Sequence, residues 1–93
     1  MARQLVLKAS FQRAYDHLSP AERDRVKKAL GLLQDYLDTG YAPLGFGLKK
    51  LGSGVYEFRV GLALRGVYVE EGSLLALVLL GSHDEVRRFL KRS

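Results

Sequence analysis

The residues best suited to chemistry in this 93-residue chain are cations gathered around a short strand pattern. In Val55-Tyr56-Glu57-Phe58-Arg59-Val60 the two-residue period of a strand puts Glu57 and Arg59 on one face and Tyr56, Phe58 and Val60 on the other. A second strand pattern, Leu64 to Val69, follows a turn near Leu62, and pairing about that turn sets Arg59 directly opposite Arg65. Like charges so placed destabilise a sheet by a few tenths to about 1 kcal/mol. Glu57 or a bound phosphate would offset that cost, and a solvated polar face is the competing explanation. Lys49 and Lys50 lie on the approach to the hairpin and gain interest only from that company. His83 stands just inside a third helix pattern, where the N-terminal end of the helix favours anions. A first-turn residue with no special duty is the alternative. Arg87 adds an outward-facing cation on the same helix.

The elements that must position these residues are readable in order. Leu5-Val6-Leu7 is a short strand. Ser10 is expected to cap a first helix carrying Phe11, Ala14, Tyr15 and Leu18 at helical spacing. Ser19-Pro20-Ala21-Glu22 opens a second helix with a capping box. Val26, Ala29, Leu30, Leu33, Tyr36 and Leu37 form its apolar face, and it stops at Asp38-Thr39-Gly40. From Gly40 to Gly54 the composition is that of turns. The two strands of the hairpin come next, and Glu70-Glu71-Gly72 turns the chain. Leu74 to Leu80 is an unbroken apolar run, as in a strand buried on both faces. Ser82-His83-Asp84-Glu85 is a second capping box, opening a helix with Val86, Phe89 and Leu90 inward and Arg87, Arg88, Lys91 and Arg92 outward. The order β-α-α-β-β-β-α predicts a single α+β domain over residues 1–93, a two-helix hairpin on a small, mainly antiparallel sheet with a short C-terminal helix.

Composition narrows the function. Fifteen Lys and Arg against ten Asp and Glu leave a net charge of +5, which favours a polyanionic partner. There is no Cys, so disulfides and thiolate metal sites are excluded, and His17 and His83 stand too far apart in sequence to make a zinc site alone. Gly40-x4-Gly45 is followed by Phe46 and then a strand, which rules out a phosphate loop. The apolar run at Leu5-Val6-Leu7 is far too short for a signal peptide or membrane span, so the expected compartment is the cytoplasm, with no membrane partner. A chain of this length buries roughly 60–70% of its unfolded surface, enough for a thin core and an open groove rather than a deep cavity.

The sequence resembles the RelE/ParE-like toxins of bacterial type II toxin–antitoxin systems, and in particular the RelE-like messenger-RNA interferases. The resemblance runs through Phe11-x2-Ala14-Tyr15 with Leu18, the long second helix, Leu48-Lys49-Lys50-Leu51, Tyr56-Glu57-Phe58-Arg59, Leu64-Arg65-Gly66-Val67-Tyr68, the apolar run, and Gly81-Ser82-His83-Asp84-Glu85-Val86. It implies an endoribonuclease that cuts mRNA, often on the ribosome, without metal or cofactor, and that a cognate antitoxin protein neutralises. In such enzymes the ribose 2′-hydroxyl attacks the adjacent phosphate, which requires a base, an acid and cations for the extra charge. Onto that pattern Arg59 and Arg65 map as phosphate clamps and His83 as general acid. Lys49 or Lys50 maps as a phosphate-binding or proton-transfer group, with Arg87 beside them on the RNA. Glu57 maps as a base or as a support for Arg59. The Arg-and-Tyr ending of RelE itself is absent here. ParE-like relatives share the fold but poison DNA gyrase, and a relative that only binds its antitoxin is a third possibility.

Overall fold

Local signals act most directly at the start of the long helix. The Ser19 hydroxyl accepts from the Glu22 N–H at 3.2 Å while the Glu22 carboxylate accepts from the Ser19 N–H at 3.2 Å, and Pro20 supplies the first helical residue. The helix ends at Gly40, which takes a left-handed conformation (φ 78°) and donates its N–H to the Tyr36 carbonyl at 2.7 Å. The computed structural model describes residues 4–92; Met1 to Arg3 and Ser93 lie outside the described residues. The elements are β1 (Gln4–Leu7), α1 (Ala9–Asp16), α2 (Pro20–Thr39), β2 (Lys49–Gly52), β3 (Val55–Arg59), β4 (Arg65–Glu71), β5 (Leu74–Gly81) and α3 (His83–Arg92).

One five-stranded sheet runs in the order β1-β5-β4-β3-β2, with β1 parallel to β5 and the other pairs antiparallel. The apolar run is therefore interior, as its composition requires. Leu75, Ala76, Leu77 and Leu80 are buried, while Leu74 is partly exposed where the strand begins. Alternation along β4 and β5 divides the buried residues between two faces. Tyr68, Leu75 and Leu77 join Phe11 of α1 and Val26, Ala29 and Leu33 of α2 in the main core. Val67 and Ala76 point the other way and are buried too, on the side where α3 contacts β4 and β5 and buries Val86.

Three expectations need correction. Ser10 does not cap α1: the helix begins at Ala9 with Lys8 in the cap position, and the Ser10 hydroxyl donates to the Val78 carbonyl at 2.6 Å. Only Lys8 separates β1 from α1, and its N–H bonds the Leu77 carbonyl, so the first helical turn is already held against β5 when Ser10 is reached. Residues 40–54 are not turn alone, because Lys49–Gly52 forms an edge strand on β3 with a register shift between Lys50 and Gly52. Two lysines and a glycine carry no two-residue apolar period, and exposed lysines suit an edge that must not pair further. The second hairpin strand spans Arg65–Glu71, with Leu64 given over to the turn, where its carbonyl accepts the N–H groups of Val60 and Gly61 at 2.9 and 3.2 Å.

An aromatic row stiffens the sheet under the helices. Phe46 and Phe58 stack with ring centroids 5.8 Å apart, Phe58 and Tyr68 lie at 6.4 Å, and Tyr68 and Tyr56 stack at 5.1 Å. Phe58 is fully buried and lies across Gly66, its directly opposed residue on β4. This packing locks the backbone between Glu57 and Arg59, one residue to either side.

Candidate phosphate-binding face

The hairpin pivots as the residue pattern requires: Arg59 of β3 stands directly opposite Arg65 of β4. Arg65 in turn stands opposite Gly81, the last residue of β5, so the three form one row at the end of the sheet. A second row lies beside it, in which Lys49 of β2 faces Glu57 of β3, and Glu57 faces Val67. Alternation puts Lys49, Glu57, Arg59 and Arg65 on the face turned away from α1 and α2. Lys50 faces Tyr56 across the ladder and so belongs to the helical face.

Arg65 is held from two sides. Its Nη1 donates to the carbonyls of Gly61 and Leu62 at 3.1 and 3.4 Å, anchoring the guanidinium in the β3–β4 turn. Its Nε approaches Glu57 Oε1 at 4.0 Å, so the ion pair of Glu57 is with Arg65 and not with Arg59. The Glu57 side chain is 9% exposed, and its Oε1 is buried with no hydrogen bond. An unsatisfied buried carboxylate oxygen is a costly feature, of the order of 1–3 kcal/mol or more, unless a donor arrives from outside the chain. Arg59 is exposed and runs over Gly47, whose absent side chain leaves room for it. A Cβ on Gly47 would sit 3.1 Å from that of Arg59.

His83 reaches the same end of the sheet by a short path. Gly81 lies opposite Arg65, Ser82 follows, and His83 is the first residue of α3. The box read from the sequence is formed: Ser82 N–H donates to Glu85 Oε1 at 3.0 Å, and Glu85 N–H donates to the Ser82 hydroxyl at 3.2 Å. The Glu85 carboxylate folds onto Gly81 so closely that a Cβ there would meet it at 2.9 Å. This box fixes where the helix starts, and with it where His83 leaves the backbone. His83 and Arg87 are both exposed, one helical turn apart and so on one side of α3.

The arrangement sets Arg59 and Arg65 opposite each other on the ladder, near an anion-favouring helix start with an exposed imidazole and a buried carboxylate oxygen that has no hydrogen bond. Among the described residues no group of three or more His, Asp or Glu side chains is placed to hold a metal ion. Sequence reasoning missed the Glu57–Arg65 pairing because it runs diagonally across the ladder. It also missed the Gly47 contact, for which a glycine beside a strand arginine was the available signal.

The sequence matches no protein-family model and no curated protein. The fold does have solved relatives. One is a YoeB/ParE toxin from Agrobacterium tumefaciens, 24% identical, with a TM-score of 0.64 over 86% of this chain and 98% of that one. A chain of the RelB–RelE antitoxin–toxin complex from Methanococcus jannaschii is 15% identical over 90% of this chain and 96% of that one, with a TM-score of 0.65. A chain of the Escherichia coli DinJ–YafQ toxin–antitoxin complex is 17% identical over 92% and 98%, with a TM-score of 0.69. These likenesses establish the RelE-like α+β fold expected from the sequence. No helix among the described residues is long and apolar enough to cross a membrane.

Proposed function

We propose that this chain is the toxin of a type II toxin–antitoxin pair, a cytoplasmic, metal-independent endoribonuclease that cleaves mRNA and is silenced by a cognate antitoxin. The observation that carries the reading is the row Arg59–Arg65–Gly81 with the buried Glu57 carboxylate ion-paired to Arg65 beside it, on a fold shared with RelE, YoeB and YafQ toxins. The Glu57 carboxylate takes the proton of a ribose 2′-hydroxyl, whose oxygen attacks the adjacent phosphorus. The bond from phosphorus to the 5′-oxygen breaks, and His83 as imidazolium protonates that oxygen. The products are a 2′,3′-cyclic phosphate and a 5′-hydroxyl. Arg59 and Arg65 stabilise the added charge on the phosphoryl oxygens, as preorganised cations do best in a partly dry site. Lys49 and Arg87 bind flanking phosphates in this reading. Lys50 contributes charge from the other side of the edge strand.

The test is cleavage of free and ribosome-bound mRNA by wild-type and His83→Ala protein. Loss of a general acid lowers the rate by about 10²-fold or more, while antitoxin binding stays unchanged. Equal cleavage by the two proteins removes His83 from the mechanism. Inhibition of DNA gyrase by both proteins, with cleavage by neither, favours the ParE-like alternative that the Agrobacterium relative's name also covers.

A further inference from the structure

α3 carries a second array of like charges, set along a helix instead of across the sheet. Val86 is buried and Phe89 and Leu90 are half-buried, so these three mark the side of α3 that faces the sheet. Arg87, Arg88, Lys91 and Arg92 are all exposed, and among the described residues none of them enters an ion pair or a side-chain hydrogen bond. Helix electrostatics account for only part of this. Lys91 and Arg92 occupy the last turn, where cations suit the helix dipole, but that benefit fades within a turn and does not reach Arg87. Arg88 has Asp84 four residues before it, the favourable order for opposite charges. Arg87 has His83 before it and Lys91 after it, a cation in the making on one side and a cation on the other. Like charges at this spacing destabilise a helix unless an anion lies across them.

His83, Arg87 and Lys91 share one flank of α3, one turn apart, and each step advances about 6 Å along the axis. That advance is comparable to the step from one phosphate to the next along an extended single strand, the backbone that such lines of cations follow. The line begins at His83, two residues after Gly81, and Gly81 stands opposite Arg65, so it leads away from the Arg59–Arg65 row. We infer that this flank of α3 is a track for a single RNA strand, with Arg87 and Lys91 on successive phosphates beyond the cut. The inference rests on the ribonuclease reading, from which the polarity of the strand follows. His83 protonates the 5′-oxygen of the departing nucleotide, so the strand on its side of the cut is the 3′ fragment. A duplex fits poorly, because it presents two lines of phosphates to one line of cations. An extended acidic peptide is the other polyanion of this shape. RNA is favoured because the line starts beside the row that holds the reacting phosphate.

The probe is a fluorescein-labelled 2′-O-methyl RNA strand of about 12 nucleotides, which has no hydroxyl to attack and so stays intact. Its affinity is measured by anisotropy across a salt series for wild type, Arg87→Ala/Lys91→Ala and Arg88→Ala/Arg92→Ala. Both variants lose the same charge from the same helix, and circular dichroism confirms that each is folded. The slope of log affinity against log salt should fall by about 1.4 in the first variant, at about 0.7 for each phosphate contact on a single strand. In the second it should stay near the wild-type value. Equal losses in the two variants overturn the inference, since they describe a diffuse positive face and no track. Equal affinity for a duplex, or tighter binding of poly-glutamate than of RNA, overturns it as well. Polarity is read on a message whose cut has been mapped. Arg87→Ala/Lys91→Ala should raise KM, and trimming the RNA just 3′ of the cut should erase the difference from wild type. Trimming on the 5′ side should leave it, and the reverse pattern overturns the assignment. A slope that falls as expected in a protein that cuts no RNA sinks the ribonuclease reading and the polarity but keeps the track. Cleavage with an unchanged slope sinks the track alone.

Discussion

Replacing Arg65 by alanine is expected to lower RNA cleavage by about 10²-fold or more, the usual cost of losing a preorganised donor to a transition-state anion. Arg65 stands between Arg59 and Gly81, and its guanidinium is fixed before any substrate arrives by the carbonyls of Gly61 and Leu62. The substitution also leaves the buried Glu57 carboxylate without its cation, so stability falls as well. Arg65→Lys separates the two effects. A lysine restores a charge near Glu57 and much of the stability, but it lacks the planar fork that binds two phosphoryl oxygens together, so cleavage stays low. Assays belong below the melting temperature of the least stable variant. Cleavage by folded Arg65→Ala at the wild-type rate would place the reacting phosphate elsewhere.

Gly66→Ala should unfold the protein far more readily, although alanine is only one methyl group larger. A Cβ at this position would lie 2.3 Å from Cζ of Phe58 and 2.8 Å from both Cε atoms. The ring cannot yield without leaving the core it shares with Phe46 and Tyr68. Overpacking of this kind costs about 2–3 kcal/mol, which for a domain of this size lowers the melting temperature by roughly 10–20 °C. Urea and thermal unfolding read both quantities. The damage should reach function as well, since Phe58 sits between Glu57 and Arg59 and its displacement turns both side chains away from the row. An unchanged unfolding midpoint would show that the ring does not lie across Gly66.

What could be read beforehand follows a physical division. Features set by residues close in sequence were legible. The Arg59–Arg65 opposition follows from a two-residue period on either side of a short turn, and both capping boxes follow from Ser and Glu three residues apart. The interior place of β5 follows from the length of its apolar run. Features that depend on contacts between distant segments were hidden. β2 has no period of its own and exists because β3 offers it an edge. Ser10 looked like a cap, but contact with β5 starts the helix one residue earlier, at Ala9, and Ser10 instead donates to the Val78 carbonyl. Glu57 was read with Arg59, its neighbour on the strand, whereas the ladder brings it to Arg65. The candidate phosphate site was thus visible as a set of residues, but its internal partners were not.

The central claim is that this face cleaves RNA by using the substrate's own 2′-hydroxyl. The most direct measurement is end-group analysis of mRNA incubated with the wild-type protein, free and on ribosomes, beside the same message carrying a single 2′-deoxy nucleotide at the site of cleavage. The expected result is fragments ending in 2′,3′-cyclic phosphate and beginning with 5′-hydroxyl, with no cut at the deoxy position. Cleavage at the deoxy position, 3′-hydroxyl ends, or intact RNA under conditions where the protein inhibits gyrase would contradict it.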